Sequence, residues 1–104
     1  MLQQPQAAIE APPALPPTIP VELFGVPRLV AGARAIDAAG LTLADLAADL
    51  LRRQPTLAGR VLDPHTGWPL DGYSFVVDET FTRDRMHPLR PKSSVLLVAS
   101  AAGG

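Results

Sequence analysis

Ser93-Ser94-Val95-Leu96-Leu97-Val98-Ala99-Ser100-Ala101-Ala102-Gly103-Gly104 is the stretch whose reading decides the fold. Residues 95–98 are a β-branched and aliphatic run of strand length, whereas residues 99–104 carry no side chain large enough to anchor them. The run is apolar at both parities: Val95 and Leu97 share one face, Leu96 and Val98 the other. A strand of this kind belongs in the interior of a sheet. One of its faces is covered by a helix, and the other is left apolar beside a narrow, extended tail. Glycine has no Cβ, so a Gly103-Gly104 ending can enter a channel that excludes larger residues and present the Gly104 carboxylate at its far end. A carboxylate is inert until activated. Joined to a nucleotide as a mixed anhydride, it becomes open to attack by a persulfide sulfur or a thiolate.

Working outward, the strongest helical signal is Leu43, Leu46, Ala47, Leu50 and Leu51, recurring at helical spacing. Thr42 is placed to cap its N-terminus, Asp45 to complete a weak capping box, and Arg52-Arg53 to complement the C-terminal dipole before Pro55 stops it. Before the helix, residues 19–26 alternate as a first strand. Pro27 ends that strand, residues 28–32 connect, and residues 33–38 form a second strand, broken by Ala39-Gly40. After it, residues 57–62 read as a short helical turn that buries Leu57 and Val61. Asp63-Pro64-His65-Thr66-Gly67 is turn chemistry, followed by an irregular piece around Trp68. Residues 73–77 return to strand, Asp78-Glu79 turn the chain, and Phe81 continues a hairpin. Met86, Pro88 and Leu89 form a loop ahead of the last strand.

The order strand, strand, helix, irregular segment, hairpin, strand predicts an α+β fold, a mixed sheet with one main helix packed on one face and the first and last strands parallel neighbours. That is the β-grasp (ubiquitin-like) arrangement. Its parts are a proline-rich leader over 1–18, the β-grasp domain over 19–98 and an extended tail over 99–104. Residues 1–20 hold six of the twelve prolines, including Pro12-Pro13 and Pro16-Pro17, and cannot form helix or sheet interior. They read as a polyproline-like or disordered leader. Pro13-Ala14-Leu15-Pro16 has the spacing of a proline-recognition ligand but lacks a flanking Arg or Lys.

Composition narrows the function further. The chain has 104 residues, no cysteine and a net charge of −1. It therefore has no thiolate chemistry of its own and no electrostatic footprint for nucleic acid. No stretch has the length of a membrane span and no signal segment opens it, so the expected location is the cytoplasm. His65 and His87 lie in no metal-binding spacing, and Asp78, Glu79 and Asp84 fall in or beside a turn where charges are solvated. No phosphate cradle or hydrolase elbow is present. The expectation is a protein that is not an enzyme, with no catalytic residue, no metal and no bound cofactor. Arg83, Arg85, Arg90 and Lys92 make a locally basic segment, read as a solvated loop. The open apolar face next to the tail suggests docking, unless Trp68, Leu70 or the leader folds over it.

Val21-Glu22-Leu23-Phe24-Gly25 followed by Arg28-Leu29 and Gly32, then Thr42-Leu43-Ala44-Asp45-Leu46, then Val95-Leu96-Leu97-Val98 running to Gly103-Gly104, resemble the MoaD/ThiS sulfur-carrier proteins over about four-fifths of the chain. The resemblance implies that Gly104 is adenylated by a ubiquitin-activating-type enzyme using ATP and converted to a thiocarboxylate. That thiocarboxylate hands sulfur to an acceptor synthase of a molybdopterin, thiamine or similar pathway, with the molybdopterin type favoured by the length between helix and hairpin. It also implies that Ala101, Ala102 and Gly103 thread the partner's active site, and that Leu97 and Val98 dock against it. The proline leader, Lys92-Ser93-Ser94 in place of an acidic turn, and the Trp68 loop depart from the family pattern. Two other functions use the same fold: a ubiquitin-like modifier joined through Gly104 to target lysines, and a β-grasp adaptor that is not conjugated. Lys92 is the single lysine available for chain formation.

Overall fold

The computed structural model describes residues 15–100. Five strands form one mixed sheet: β1 (Thr18–Leu23), β2 (Ala35–Ala39), β3 (Tyr73–Val77), β4 (Thr80–Thr82) and β5 (Val95–Ala99), in the order β2-β1-β5-β3-β4. The β1/β2, β3/β4 and β3/β5 pairs are antiparallel, whereas β1 and β5 are parallel, with Val21 opposite Val95 and Leu23 opposite Leu97. The two helices are α1 (Val26–Ala31) and α2 (Leu43–Arg53), and Pro55–Leu57 makes one 3₁₀ turn. This is the expected β-grasp, with β5 at its centre.

One face of the sheet and α2 form the core. Ile19, Val21 and Leu23 from β1, Phe75 and Val77 from β3, and Val95 and Leu97 from β5 meet Leu43, Leu46, Ala47 and Leu50 of α2. Leu57, Val61 and Leu62 close the bottom, as their apolar spacing required. Each such side chain contributes about 1.5–3 kcal/mol when fully buried. The α2 N-terminus is capped as expected: the Asp45 N–H donates to Thr42 Oγ1 at 3.2 Å.

Asp49 is the one buried carboxylate among the described residues. It accepts from the Ala39 N–H at 2.8 Å, from Arg53 Nε at 2.7 Å, and from Arg52. The helix is thereby clamped to the edge strand β2. Burial pushes the Asp49 pKa up, but the Ala39 N–H and the Arg53 and Arg52 guanidiniums outweigh it and hold the carboxyl below the ordinary aspartate value.

Three local expectations are corrected. Residues 28–32 read as a connection, but 28–31 belong to α1 and Gly32 caps it. Gly25, at φ 67° and ψ −133°, takes a backbone conformation essentially reserved for glycine, which ends β1 at Leu23 and turns the chain into a helix with Pro27 in its first turn. Gly32 closes α1 in the left-handed conformation, its N–H donating to the Arg28 carbonyl at 2.8 Å. The second strand begins at Ala35 and includes Ala39. The helical turn expected over 57–62 sits earlier, at Pro55–Leu57, where Pro55 starts it.

Gly67 is the tightest packing constraint. With φ at 81°, it lies so close to α2 that a Cβ would come within 2.2 Å of the Ala47 carbonyl oxygen. The Trp68 loop is thus pressed against the helix.

Candidate functional site at the exit of the last strand

Because β1 and β5 run parallel, both C-terminal ends lie at the same edge of the sheet. There the chain leaves β5 between two backbone bonds. The Phe24 N–H donates to the Leu97 carbonyl at 3.2 Å, and the Ser100 N–H donates to the Gly72 carbonyl at 2.7 Å. The strand is held on the β1 side as far as Leu97 and on the β3 side as far as Ser100, its last described residue. Ala101, Ala102, Gly103 and Gly104, the expected threading and attachment residues, lie outside the described residues, as does most of the leader read over 1–18.

The strand register assigns the flanking side chains to faces. Phe75 opposite Leu97 and Val77 opposite Val95 are core pairs, so Val76 opposite Leu96 and Ser74 opposite Val98 stand on the other face. On β4, Phe81 is paired with Val76 and is 62% exposed. On β1, Glu22 is paired with Leu96, and Phe24, two residues further on, comes level with Val98 and is 41% exposed. Phe81, Val76, Leu96, Val98 and Phe24 therefore form an apolar diagonal across the sheet surface that α2 does not cover. It runs to the exit of β5, where Val26 and Leu29 of α1 add further exposed apolar surface.

Arg28 organises this corner. Its Nε donates to the Leu23 carbonyl at 3.1 Å, and its guanidinium lies 5.4 Å from the centroid of the Phe24 ring, within cation–π range. The ring is fixed without being buried. The expectation that Leu97 and Val98 both dock a partner is half corrected. Leu97 is fully buried between Phe75 and Leu23, since neighbours along a strand point to opposite faces. Val98 keeps its place on the open face, and Leu96, not Leu97, is its companion.

Phe24, Phe81, Val26 and Leu29 were missed. A signal for Phe81 was in the chain: a two-residue turn at Asp78-Glu79, both with positive φ, sets Phe81 opposite Val76. Asp78 also accepts from the Ser94 N–H at 2.9 Å and so joins the turn to the approach of β5. That is a structural use of a carboxylate considered for acid–base work. Trp68 does not cover the open face. It packs edge-on against Phe75, centroids 5.7 Å apart, on the core side, with the Arg85 guanidinium 4.7 Å from its ring.

Among the described residues no group of three metal-ligating side chains is brought together, and no helix is long and apolar enough to cross a membrane. The Asp63 carboxyl is held below its ordinary value by the His65 N–H, then by that of Thr66, and closes a surface turn.

No protein-family model and no curated protein matches the chain. Solved structures do. The solution structure of small archaeal modifier protein 1 from Methanosarcina acetivorans superposes with a TM-score of 0.71 at 15% identity, covering 88% of this chain and 100% of that one. Two crystal structures of the Haloferax volcanii protein of the same name give TM-scores of 0.69 and 0.70 at 20% and 18% identity, covering 84% and 82% of this chain and 99% of each of theirs. At these identities the likeness is one of fold. The chain carries the ubiquitin-like β-grasp, the fold expected from its resemblance to the MoaD/ThiS sulfur carriers.

Proposed function

We propose that the chain is a sulfur carrier, a protein co-substrate whose Gly104 carboxylate is adenylated and then converted to a thiocarboxylate. The observation that supports this most is the position of β5. It is the central strand, bonded on the β1 side as far as Leu97 and on the β3 side as far as Ser100, and it ends beside a sheet face on which Phe81 and Phe24 are exposed. A carrier needs a rigid base, a short arm without bulky side chains and a surface by which the activating enzyme recognises it.

In this reading Phe81, Leu96, Val98 and Phe24 seat the body on a ubiquitin-activating-type enzyme, and Ala101, Ala102 and Gly103 enter its active site. A Gly104 carboxylate oxygen attacks the α-phosphorus of ATP, pyrophosphate leaves, and an acyl adenylate forms. A persulfide sulfur then attacks the carbonyl carbon and AMP leaves. A thiol cleaves the resulting S–S bond to free the thiocarboxylate, which a sulfur-accepting synthase of a cytoplasmic biosynthetic pathway such as molybdopterin or thiamine synthesis consumes. The chain contributes recognition and reach, and the partners contribute the catalysis.

A second reading is conjugation of Gly104 to target lysines, favoured by the names of the modifier proteins that share this fold. Both readings need the same activated glycine. Deleting Gly103 and Gly104 tests what they share: sulfur transfer and conjugation are both lost while the fold persists. An adaptor that uses the sheet face alone keeps its full function after the deletion, and that result would contradict both.

A further inference from the structure

A cleft of about 570 Å³ lies on the helix side, lined by Trp68, Pro69, Leu70, Asp71, Arg83 and Arg85. Arg85 stacks on Trp68, and neither Arg83 nor Arg85 has a carboxylate partner among the described residues. Asp63, on the same wall, is engaged by the backbone N–H groups of His65 and Thr66. Asp71 forms no ion pair with either arginine, so an aromatic floor with two guanidiniums outside any ion pair fits a proline-rich segment that carries a negative charge.

The chain holds such a segment and delivers it nearby. Pro16 lines a hollow on α2 with Asp45, Ala48 and Arg52, and the Pro17 carbonyl accepts from the Gly40 N–H at 3.3 Å. Ala48 separates this hollow from the Trp68 loop, since Gly67 is pressed against Ala47 and Ala48 from the other side. The Arg85 carbonyl accepts from the Ala44 N–H at 2.8 Å, one helical turn before Ala48. The way from Pro16 to Trp68 and Arg85 therefore crosses small residues of a single helix, about 10–12 Å wide.

Glu10, Pro13 and Pro16 are spaced by three, the repeat of a polyproline II helix, and Glu10 is the one charged residue among residues 1–17. In that conformation, at ~3.1 Å per residue, Pro13 would lie ~9 Å and Glu10 ~19 Å from Pro16, on one face. We propose that the leader docks in cis across α2, with Pro13 on Trp68 and Glu10 against Arg83 and Arg85. The usual polarity of proline recognition is inverted, because the fold supplies the cations and the ligand the acid. The docked leader leaves the sheet face and the β5 exit uncovered.

The chain has no cysteine and one tryptophan, so one label and one resonance report the contact. A nitroxide on Ala8→Cys of the full chain should broaden the Trp68 indole N–H signal. With the high effective concentration of so short a tether, the loss of intensity should be about two-fold or more. Adding Glu10→Arg should restore it. An unbroadened Trp68 signal, broadening of the Leu96 and Val98 amides instead, or Trp68 broadening that survives Glu10→Arg would each overturn the proposal.

Discussion

Leu96 and Leu97 are identical side chains on consecutive residues, and they lie in different environments. Leu97 is sealed between Phe75 and Leu23 beneath α2, whereas Leu96, half-buried, stands with buried Val76 and exposed Phe81 on the sheet face that α2 does not cover. The covered face holds the β-grasp together. The open face repeats the same apolar chemistry without a helix to bury it, so its apolar character contributes little to folding and is free for recognition. That division of labour within one strand explains how a small domain keeps a stable base while offering an adhesive surface beside its tail.

The comparison breaks most sharply under truncation. Leu97→Ala is expected to cost about 2–5 kcal/mol by removing buried methyl groups and leaving a cavity, and Leu96→Ala well under ~1 kcal/mol; urea unfolding of the two variants measures the gap. Equal losses would mean that the open face is packed in solution. The reverse order is expected for activation: Leu96→Asp or Phe81→Asp should slow adenylation by the partner enzyme at unchanged stability.

The Gly67→Ala substitution should cost about 2–4 kcal/mol, because it combines a left-handed φ with a clash against the α2 backbone. A cost this large far from the open face would confirm that stability resides on the helix side.

Asp49 extends the test to pH. Its folded pKa is depressed, so its contribution is fully present above the unfolded aspartate value near ~3.9 and is lost as pH falls through the lower folded value. Asp49→Asn should lower neutral-pH stability by about 1–3 kcal/mol and flatten the stability profile below pH ~4. Thermal unfolding between acid and neutral pH checks this.

The smallest effect has the opposite sign. Glu79 holds φ at 71° in the β3–β4 turn, and Glu79→Gly should stabilise the hairpin by up to ~1 kcal/mol and raise Tm slightly. Asp78, at φ 49°, is a poorer target because it also binds the Ser94 N–H.

Most of this division was legible in the chain, for identifiable reasons. The α2 period, its Thr42 cap, the β residues of 73–77 and the apolar run of 95–98 each carry enough local pattern to fix an element, and one helix with four or five strands leaves few arrangements. The helix α1 was not read. Pro27 after a run of strand residues reads as the end of a strand, but it sits in the first turn of a helix, with Gly32 five residues on as a ready C-cap. The face of Leu97 needed register, which no local pattern within the strand contains: alternation separates Leu96 from Leu97 but does not say which one meets Phe75. Phe24 gained its place because Gly25 ends β1 two residues short of the end of β5, which leaves Phe24 level with Val98.

The most direct test of the central claim is high-resolution intact mass of the untagged protein, taken before and after incubation with its activating enzyme, ATP and a sulfur donor, with and without iodoacetamide. Oxygen-to-sulfur exchange nearly matches methionine oxidation in mass, and alkylation separates them. The account predicts an alkylatable gain that maps to Gly104. No alkylatable product with an activating enzyme of proven competence, or Gly104 found only in amide linkage to other proteins, would contradict it.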